Sequence, residues 1–156
     1  MRKNPKILVV EDFPGDQKMI AMALERESYE VITAMDGKEG VEKARKEKPD
    51  VIIMDVMMPE EDGLDACKEL KTDPECSNIP IIIHTSIQDS PIILRAMQKT
   101  ADSPYADAYI DKPCDPNALL EIVKRFINLS DFTNKKWNIK REKNDRSWNP
   151  KVNNIS

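Results

Sequence analysis

The chain has 156 residues, of which 40% are hydrophobic and 33% are charged, and its formal net charge is −4. This composition is typical of a globular domain with a core of ordinary size. No apolar run reaches the roughly 18 residues that a membrane-spanning helix needs, and no signal-peptide segment follows Met1. We therefore expect a cytoplasmic protein without a membrane partner. Cys67, Cys76 and Cys114 form no CxxC pair, which predicts reduced structural thiols.

Short apolar segments alternate with amphipathic segments along most of the chain. The apolar segments predict five β-strands, at Lys6–Glu11, Glu30–Ala34, Val51–Met54, Ile81–His84 and Ala108–Ile110. Apolar residues at helical spacing predict five α-helices, at Asp16–Glu27, Lys38–Glu47, Leu64–Lys71, Pro91–Lys99 and Pro116–Asn128. Strands that alternate with helices favour a doubly wound α/β fold of the flavodoxin-like kind, in which helices cover both faces of a five-stranded parallel sheet.

Acidic residues follow two of the predicted strands. Glu11 and Asp12 come at the end of the first strand, and Asp55 comes directly after the third. The pattern leaves the strand order open, but the order 2-1-3-4-5 would place these strands side by side and bring the three carboxylates together. Such carboxylates repel and raise one another's pKa, so we predict a Mg²⁺ ion among them.

A hydroxyl and an ammonium group follow the last two strands. Thr85 comes after Ile81–His84, and Lys112 comes shortly after Ala108–Ile110. Phosphoryl transfer needs a metal, a fixed cation and hydrogen-bond donors for the phosphoryl oxygens. An aspartate can act as the nucleophile. The set therefore favours Mg²⁺-dependent phosphoryl transfer onto Asp55. His84, between apolar neighbours on its strand, is predicted to be a packed core residue.

Taken together, these residues resemble those of the receiver domains of two-component response regulators, in particular the stand-alone chemotaxis-type receivers. The resemblance covers residues 6–129. It is carried, in the order of the family, by Glu11-Asp12, Asp55, Met58-Pro59, Asp62-Gly63, Thr85-Ser86, Tyr109 and Lys112-Pro113.

The resemblance implies a phosphorylatable signalling switch that catalyses only its own phosphorylation and dephosphorylation. Asp55 would accept a phosphoryl group from a phosphohistidine of a sensor histidine kinase or histidine phosphotransfer protein. Glu11, Asp12, Asp55 and the backbone carbonyl of Met57 would hold Mg²⁺. A cis peptide before Pro113 would direct Lys112 inward.

The resemblance also implies how the switch works. Thr85 would hydrogen-bond the phosphoryl group, Lys112 would pair with it, and the rotamer of Tyr109 would follow the phosphorylation state. The surface of the predicted fourth helix, fifth strand and fifth helix would then contact a downstream protein, unless the phosphoryl group is relayed onward. Residues 100–105 resemble an insertion on this surface, so the target does not transfer from relatives.

Residues 1–129 form the predicted receiver domain, and residues 130–156 a basic, flexible tail. The tail carries seven basic and three acidic residues, a net charge of +4. This field is modest for nucleic-acid binding and no helix-turn-helix pattern accompanies it, so we expect no nucleic-acid partner and leave docking on a protein open.

Two other functions remain as alternatives. A pseudo-receiver would act as an interaction module without phosphorylation, although the complete set of acids, Thr85 and Lys112 argues against it. A small-molecule phosphatase or phosphotransferase would use Asp55 but would need a second acid two residues later, where the chain has Met57.

Overall fold

The computed structural model describes residues 4–56, 58, 63–86 and 106–131. Its elements are, in chain order, β1 (Lys6–Val10), α1 (Pro14–Arg26), β2 (Glu30–Ala34), α2 (Gly37–Glu47), β3 (Val51–Met54), α3 (Gly63–Thr72), β4 (Ile81–Thr85), β5 (Ala108–Asp111) and α4 (Pro116–Asp131). The predicted helix Pro91–Lys99, the insertion at 100–105 and residues 132–156 of the predicted tail lie outside the described residues. Within the described ranges, none of the helices combines the length and the apolar character needed to cross a bilayer.

The five strands form one parallel sheet in the order β2-β1-β3-β4-β5. This confirms the predicted fold and the strand order that the acidic residues favoured. β1 pairs with β3 in a register that sets Val10 opposite Met54, and β4 pairs with β5 in a register that sets Thr85 opposite Asp111. All strands therefore end at the same edge of the sheet.

Helices cover both faces of the sheet. Successive side chains of each strand point to opposite sides, so the apolar strands present an apolar surface on each face. Leu8 and Val10 of β1 belong to a core that includes side chains of α2 and α3. Ile7 and Val9 belong to a second core that includes side chains of α1 and α4. The central strands β1 and β3 are thus buried on both faces, which explains their continuous apolar sequences.

The observed elements differ from the predicted ones by a few residues at their ends. α1 begins at Pro14 rather than Asp16. Proline suits the first helical position because its φ angle is already helical and it has no amide hydrogen that would be left without an acceptor. β4 and β5 each extend one residue further than predicted, because Thr85 and Asp111 pair in the ladder. β1 ends at Val10, so Glu11 is the first residue of the loop above the sheet.

Candidate functional site at the carboxyl edge of the sheet

The backbone of the two central strands places Glu11 and Asp55 next to each other. Asp55 N donates a hydrogen bond of 2.9 Å to the carbonyl of Val10, and Glu11 N donates one of 3.0 Å to the carbonyl of Ala34. Both side chains are buried, with 1% of Glu11 and 4% of Asp55 exposed. The carboxylates are therefore fixed by the sheet itself and are largely removed from water.

Asp55 receives one donor on each of its carboxylate oxygens. Thr85 Oγ1, at the end of β4, lies 2.9 Å from Asp55 Oδ1. Lys112 Nζ, just after β5, lies 3.1 Å from Asp55 Oδ2. The ends of β3, β4 and β5 thus contribute an acid, a hydroxyl and an ammonium group to one point, as the sequence predicted.

Lys112 also contacts two other carboxylates. Its Nζ lies 2.7 Å from Glu11 Oε2 and 3.3 Å from Asp16 Oδ2. Burial lowers the pKa of Lys112, but the hydrogen bond to Glu11 and the charge of Asp55 outweigh burial and hold that pKa above its usual value. The side chain therefore stays protonated. The peptide bond between Lys112 and Pro113 is cis, as the resemblance implied.

Glu11, Asp12 and Asp55 form a cluster in which one oxygen of each carboxylate lies within 4.8 Å of the others. The pKa of Glu11 is raised to about 7: burial is the largest cause, the hydrogen bond from Lys112 opposes the increase, and the charge of Asp55 adds to it. Carboxylate oxygens are the donors that Mg²⁺ prefers, and the ion keeps several waters, so not every acid has to bind it directly. The donor set fits a Mg²⁺ ion.

The start of α3 lies close to the backbone of Asp55 and Val56. A Cβ atom on Gly63 would lie 2.5 Å from Val56 Cα and 2.6 Å from the carbonyl oxygen of Asp55, both of them backbone atoms. Only glycine allows the two backbone segments to come this close, which gives a steric reason for Gly63 in the Asp62-Gly63 pair. Met57, Pro59 and Asp62 lie outside the described residues.

Tyr109 lies on β5 opposite Ile83 and is half-buried against the core that α2 and α3 cover. This position is beside the site, and the switching role of Tyr109 stays a prediction.

His84 is 3% exposed, so it is packed as predicted. Its Nε2 lies 3.3 Å from Cys114 Sγ. Cys67, Cys76 and Cys114, which all lie in the described part of the chain, form no disulfide.

Asp16 is a site residue that the sequence interpretation missed. It occupies the first turn of α1, and its carboxylate is a third partner of Lys112. Asp12 precedes α1, so no helical spacing in the sequence relates Asp16 to the acidic strand end, and its contact with Lys112 follows only from the fold. The structure thus brings together Glu11, Asp12, Asp55, Thr85 and Lys112 and adds Asp16.

Comparisons with known proteins agree with this geometry. A family model described as the response regulator receiver domain matches residues 7–124. The chain is 36% identical over 119 residues to Protein PilH of Pseudomonas aeruginosa, an alignment that covers 76% of this chain and 93% of PilH. It is 36% identical over 129 residues to the alkaline phosphatase synthesis transcriptional regulatory protein PhoP of Bacillus subtilis, covering 83% of this chain but only 51% of PhoP.

A solved structure shares the fold over most of the chain. The receiver domain of the sensor histidine kinase PA1611 from Pseudomonas aeruginosa superimposes with a TM-score of 0.71 at 29% identity, covering 80% of this chain and 98% of that domain. That structure has a magnesium ion coordinated in its active site cleft. A receiver domain similar to this chain thus holds Mg²⁺, the cation that the acidic cluster predicts here.

Proposed function

The chain belongs to the response regulator receiver domain family, the signalling domains of two-component systems, and on that premise we propose that Asp55 is its phosphoacceptor. The observation that supports this most directly is the pair of contacts to Asp55. Thr85 and Lys112 each place a donor on one oxygen of the carboxylate, at 2.9 and 3.1 Å. Donors at this point would also suit the oxygens of a phosphoryl group attached to Asp55.

The transfer would proceed by direct attack. One oxygen of Asp55 forms a bond to phosphorus, and the phosphorus–nitrogen bond of the donor phosphohistidine breaks, with the electron pair staying on the donor imidazole. Thr85 and Lys112 each place a donor on one oxygen of the attacking carboxylate and so stabilise its negative charge. After transfer, the hydroxyl of Thr85 and the ammonium of Lys112 are positioned to bond phosphoryl oxygens.

The acids of the site need a second cation. In the described part of the chain, the ammonium group of Lys112 contacts the carboxylates of Glu11, Asp16 and Asp55. A fourth carboxylate, that of Asp12, lies in the cluster with Glu11 and Asp55. Glu11, Asp12, Asp55 and the backbone carbonyl of Met57 would hold Mg²⁺, which neutralises phosphoryl oxygens when bound. Without that charge, the acids would repel an incoming phosphoryl donor.

The phosphorylated site would act as a two-state switch. A phosphoryl group adds about 1.5 to 2 negative charges, which gives Thr85 and Lys112 a stronger partner than the Asp55 carboxylate alone. Movement of Thr85 toward the phosphoryl group would leave space for the ring of Tyr109. Phosphorylation favours the second conformation only by the free energy with which that conformation binds the phosphoryl group more strongly than the first conformation does.

Receiver domains exchange signals with histidine kinases or phosphotransfer proteins and with downstream targets. For this chain we infer that the output surface comprises the predicted fourth helix, β5 and α4. We also infer a cytoplasmic location and an organisation into a receiver domain at 1–129 and a basic tail at 130–156. The activity is a switch rather than turnover of an external substrate, and the chain would catalyse only its own phosphorylation and dephosphorylation.

Intact-mass measurement with acetyl phosphate tests the phosphoacceptor. We expect the wild-type chain to gain the mass of one phosphoryl group in the presence of Mg²⁺ and to lose that gain in excess chelator. The variant Asp55→Asn should gain nothing. Asp65→Asn, which changes an exposed acid in the first turn of α3, serves as the matched control and should behave like the wild type.

A binding measurement separates the acceptor from the cation site. Calorimetric titration with Mg²⁺ should give one site in the wild type and a strongly weakened one in Asp12→Asn. A chain that binds Mg²⁺ yet gains no phosphoryl mass would be a pseudo-receiver and would overturn the assignment of Asp55.

A further inference from the structure

A narrow cleft opens between α1 and α4 on the face of the sheet away from α2 and α3. Its lining is apolar, with residues such as Ile20 and Leu119, except for two polar side chains, those of His84 and Cys114. The enclosed space is about that of a single water molecule, which is too small for an organic ligand. Neither polar residue takes part in the phosphoryl transfer proposed above.

The two polar groups are in contact and only partly satisfied. Cys114 Sγ lies 3.3 Å from His84 Nε2. The imidazole is 3% exposed, and its Nδ1 has no hydrogen-bond partner among the residues that the structure describes. Burial raises the pKa of the Cys114 thiol to about 11 and lowers the pKa of His84 to about 4. The resting pair is therefore a thiol beside a neutral imidazole, the form of histidine that binds metals.

We propose that this cleft is a binding site for one Cu⁺ ion, with Cys114 Sγ and His84 Nε2 as ligands and the thioether of Met19 as a third. The separation of the first two atoms supports the assignment. With bond lengths like those of Zn²⁺, about 2.3 Å to sulfur and about 2.0 Å to nitrogen, a three-ligand site with angles of about 120° sets the two atoms about 3.7 Å apart. The observed separation is 3.3 Å, so the two side chains would have to move apart by about 0.4 Å to admit the ion. Met19 lines the same cleft and is 45% exposed, so its side chain is free to turn toward the metal.

The chemistry of the cleft selects this ion over others. Thiolate, thioether and imidazole are soft or borderline ligands, and none of the described residues that line the cleft offers a carboxylate to hold Mg²⁺ or Ca²⁺. Binding releases the proton of the Cys114 thiol to solvent, so Cu⁺ and one thiolate form a neutral complex and the copper does not change its oxidation state. Zn²⁺ with the same ligands would leave a positive charge in an apolar cleft and one of its four positions without a protein ligand.

Competition against a chromogenic Cu⁺ chelator, carried out on the full chain in reductant without oxygen, tests the proposal. We expect the chain to remove one equivalent of Cu⁺ from the chelator. Cys114→Ser and His84→Leu should each weaken binding by more than about 100-fold, and Met19→Leu by about tenfold. X-ray absorption at the copper edge should show sulfur and nitrogen neighbours that are lost in the first two variants.

Two control variants show whether the effect belongs to the cleft. Met22→Leu changes a methionine of α1 that is 47% exposed and does not line the cleft. Cys67→Ala removes a buried thiol of α3, on the opposite face of the sheet. Both should bind Cu⁺ as the wild type does. Unchanged affinity in folded Cys114→Ser, no competition with the chelator, or tighter binding of Zn²⁺ than of Cu⁺ would each overturn the proposal.

Discussion

Lys112 Nζ lies closer to Glu11 Oε2, at 2.7 Å, than to Asp55 Oδ2, at 3.1 Å. The ammonium group therefore spans the first and third strands and occupies oxygens that a cation would also use. In the state that the structure represents, Lys112 carries part of the charge compensation that we assign to Mg²⁺. The two cations should then compete for the same acids while both remain necessary for phosphoryl transfer.

We predict that Lys112→Met binds Mg²⁺ more tightly than the wild type, by roughly three- to tenfold or about 1 kcal/mol, because one repelling charge and one competitor are removed. The same variant should accept a phosphoryl group from acetyl phosphate at least about tenfold more slowly, because a fixed positive charge is lost from the site. Calorimetry measures the first effect and intact mass against time the second. Lys68→Met, on an exposed position of α3, is the control. Weaker Mg²⁺ binding in Lys112→Met would contradict the competition.

The hydroxyl of Thr85 should contribute to stability before any phosphorylation. Thr85 is fully buried, and its Oγ1 lies 2.9 Å from Asp55 Oδ1. We expect Thr85→Val to lower the free energy of unfolding by about 1 to 2 kcal/mol, since a buried acceptor loses a donor while the side-chain volume is kept. Thr85→Ser retains the hydroxyl and should recover most of this loss, apart from the cost of the missing methyl group. Urea unfolding measures both, and equal stability of the valine variant and the wild type would show that the contact is energetically neutral.

Gly63 should tolerate no side chain. A Cβ there would lie 2.5 Å from Val56 Cα, so Gly63→Ala must displace backbone on both sides. We expect a loss of about 1 to 3 kcal/mol in urea unfolding and slower phosphorylation, because the carbonyl of Asp55 moves as well. Gly15→Ala is the matched control, since its Cβ would meet only the Phe13 ring, at 3.1 Å, and that side chain is 60% exposed and able to turn away. Similar losses in the two variants would refute the steric explanation.

The sequence predicted the parts of the site that depend on strands. A doubly buried strand needs a continuous apolar run, so the positions where such runs stop locate the carboxyl edge of the sheet, and Glu11, Asp55 and Thr85 follow directly. The acids alone favoured one strand order. An order that sets the first and third strands side by side brings Glu11 and Asp55 into one site, whereas any other order would leave acids at strand ends without a common function. The structure confirms that order.

The parts that depend on how helices lie over the sheet could not be predicted. The contact between Asp16 and Lys112 depends on how the first turn of α1 lies over the carboxyl edge of the sheet. The contact between His84 and Cys114 joins residues 30 positions apart on a strand and a loop. The steric demand at Gly63 arises from the distance between α3 and the end of β3. Each is a relation between elements that no local sequence pattern encodes.

His84 should make the stability of the chain depend on pH. Its pKa is lowered from 6.5 to about 4, chiefly by burial and also by the charge of Lys112, while Asp55 and Asp16 oppose the decrease. Between these two values the unfolded chain binds a proton that the folded chain does not, so stability falls as the pH falls through this window. The full effect is up to about 3 kcal/mol.

Urea unfolding of the metal-free chain between about pH 5 and 7 measures this dependence. His84 is the only histidine of the chain, so no other imidazole contributes to the slope. We expect His84→Leu to flatten the slope, because its folded and unfolded states then differ only in their carboxyl groups. Acidification in this window stabilises the folded chain through Glu11, whose pKa is raised, so an equal loss of stability in the variant and the wild type could not come from that acid. Such a result would show that His84 is charged or solvated in the folded chain.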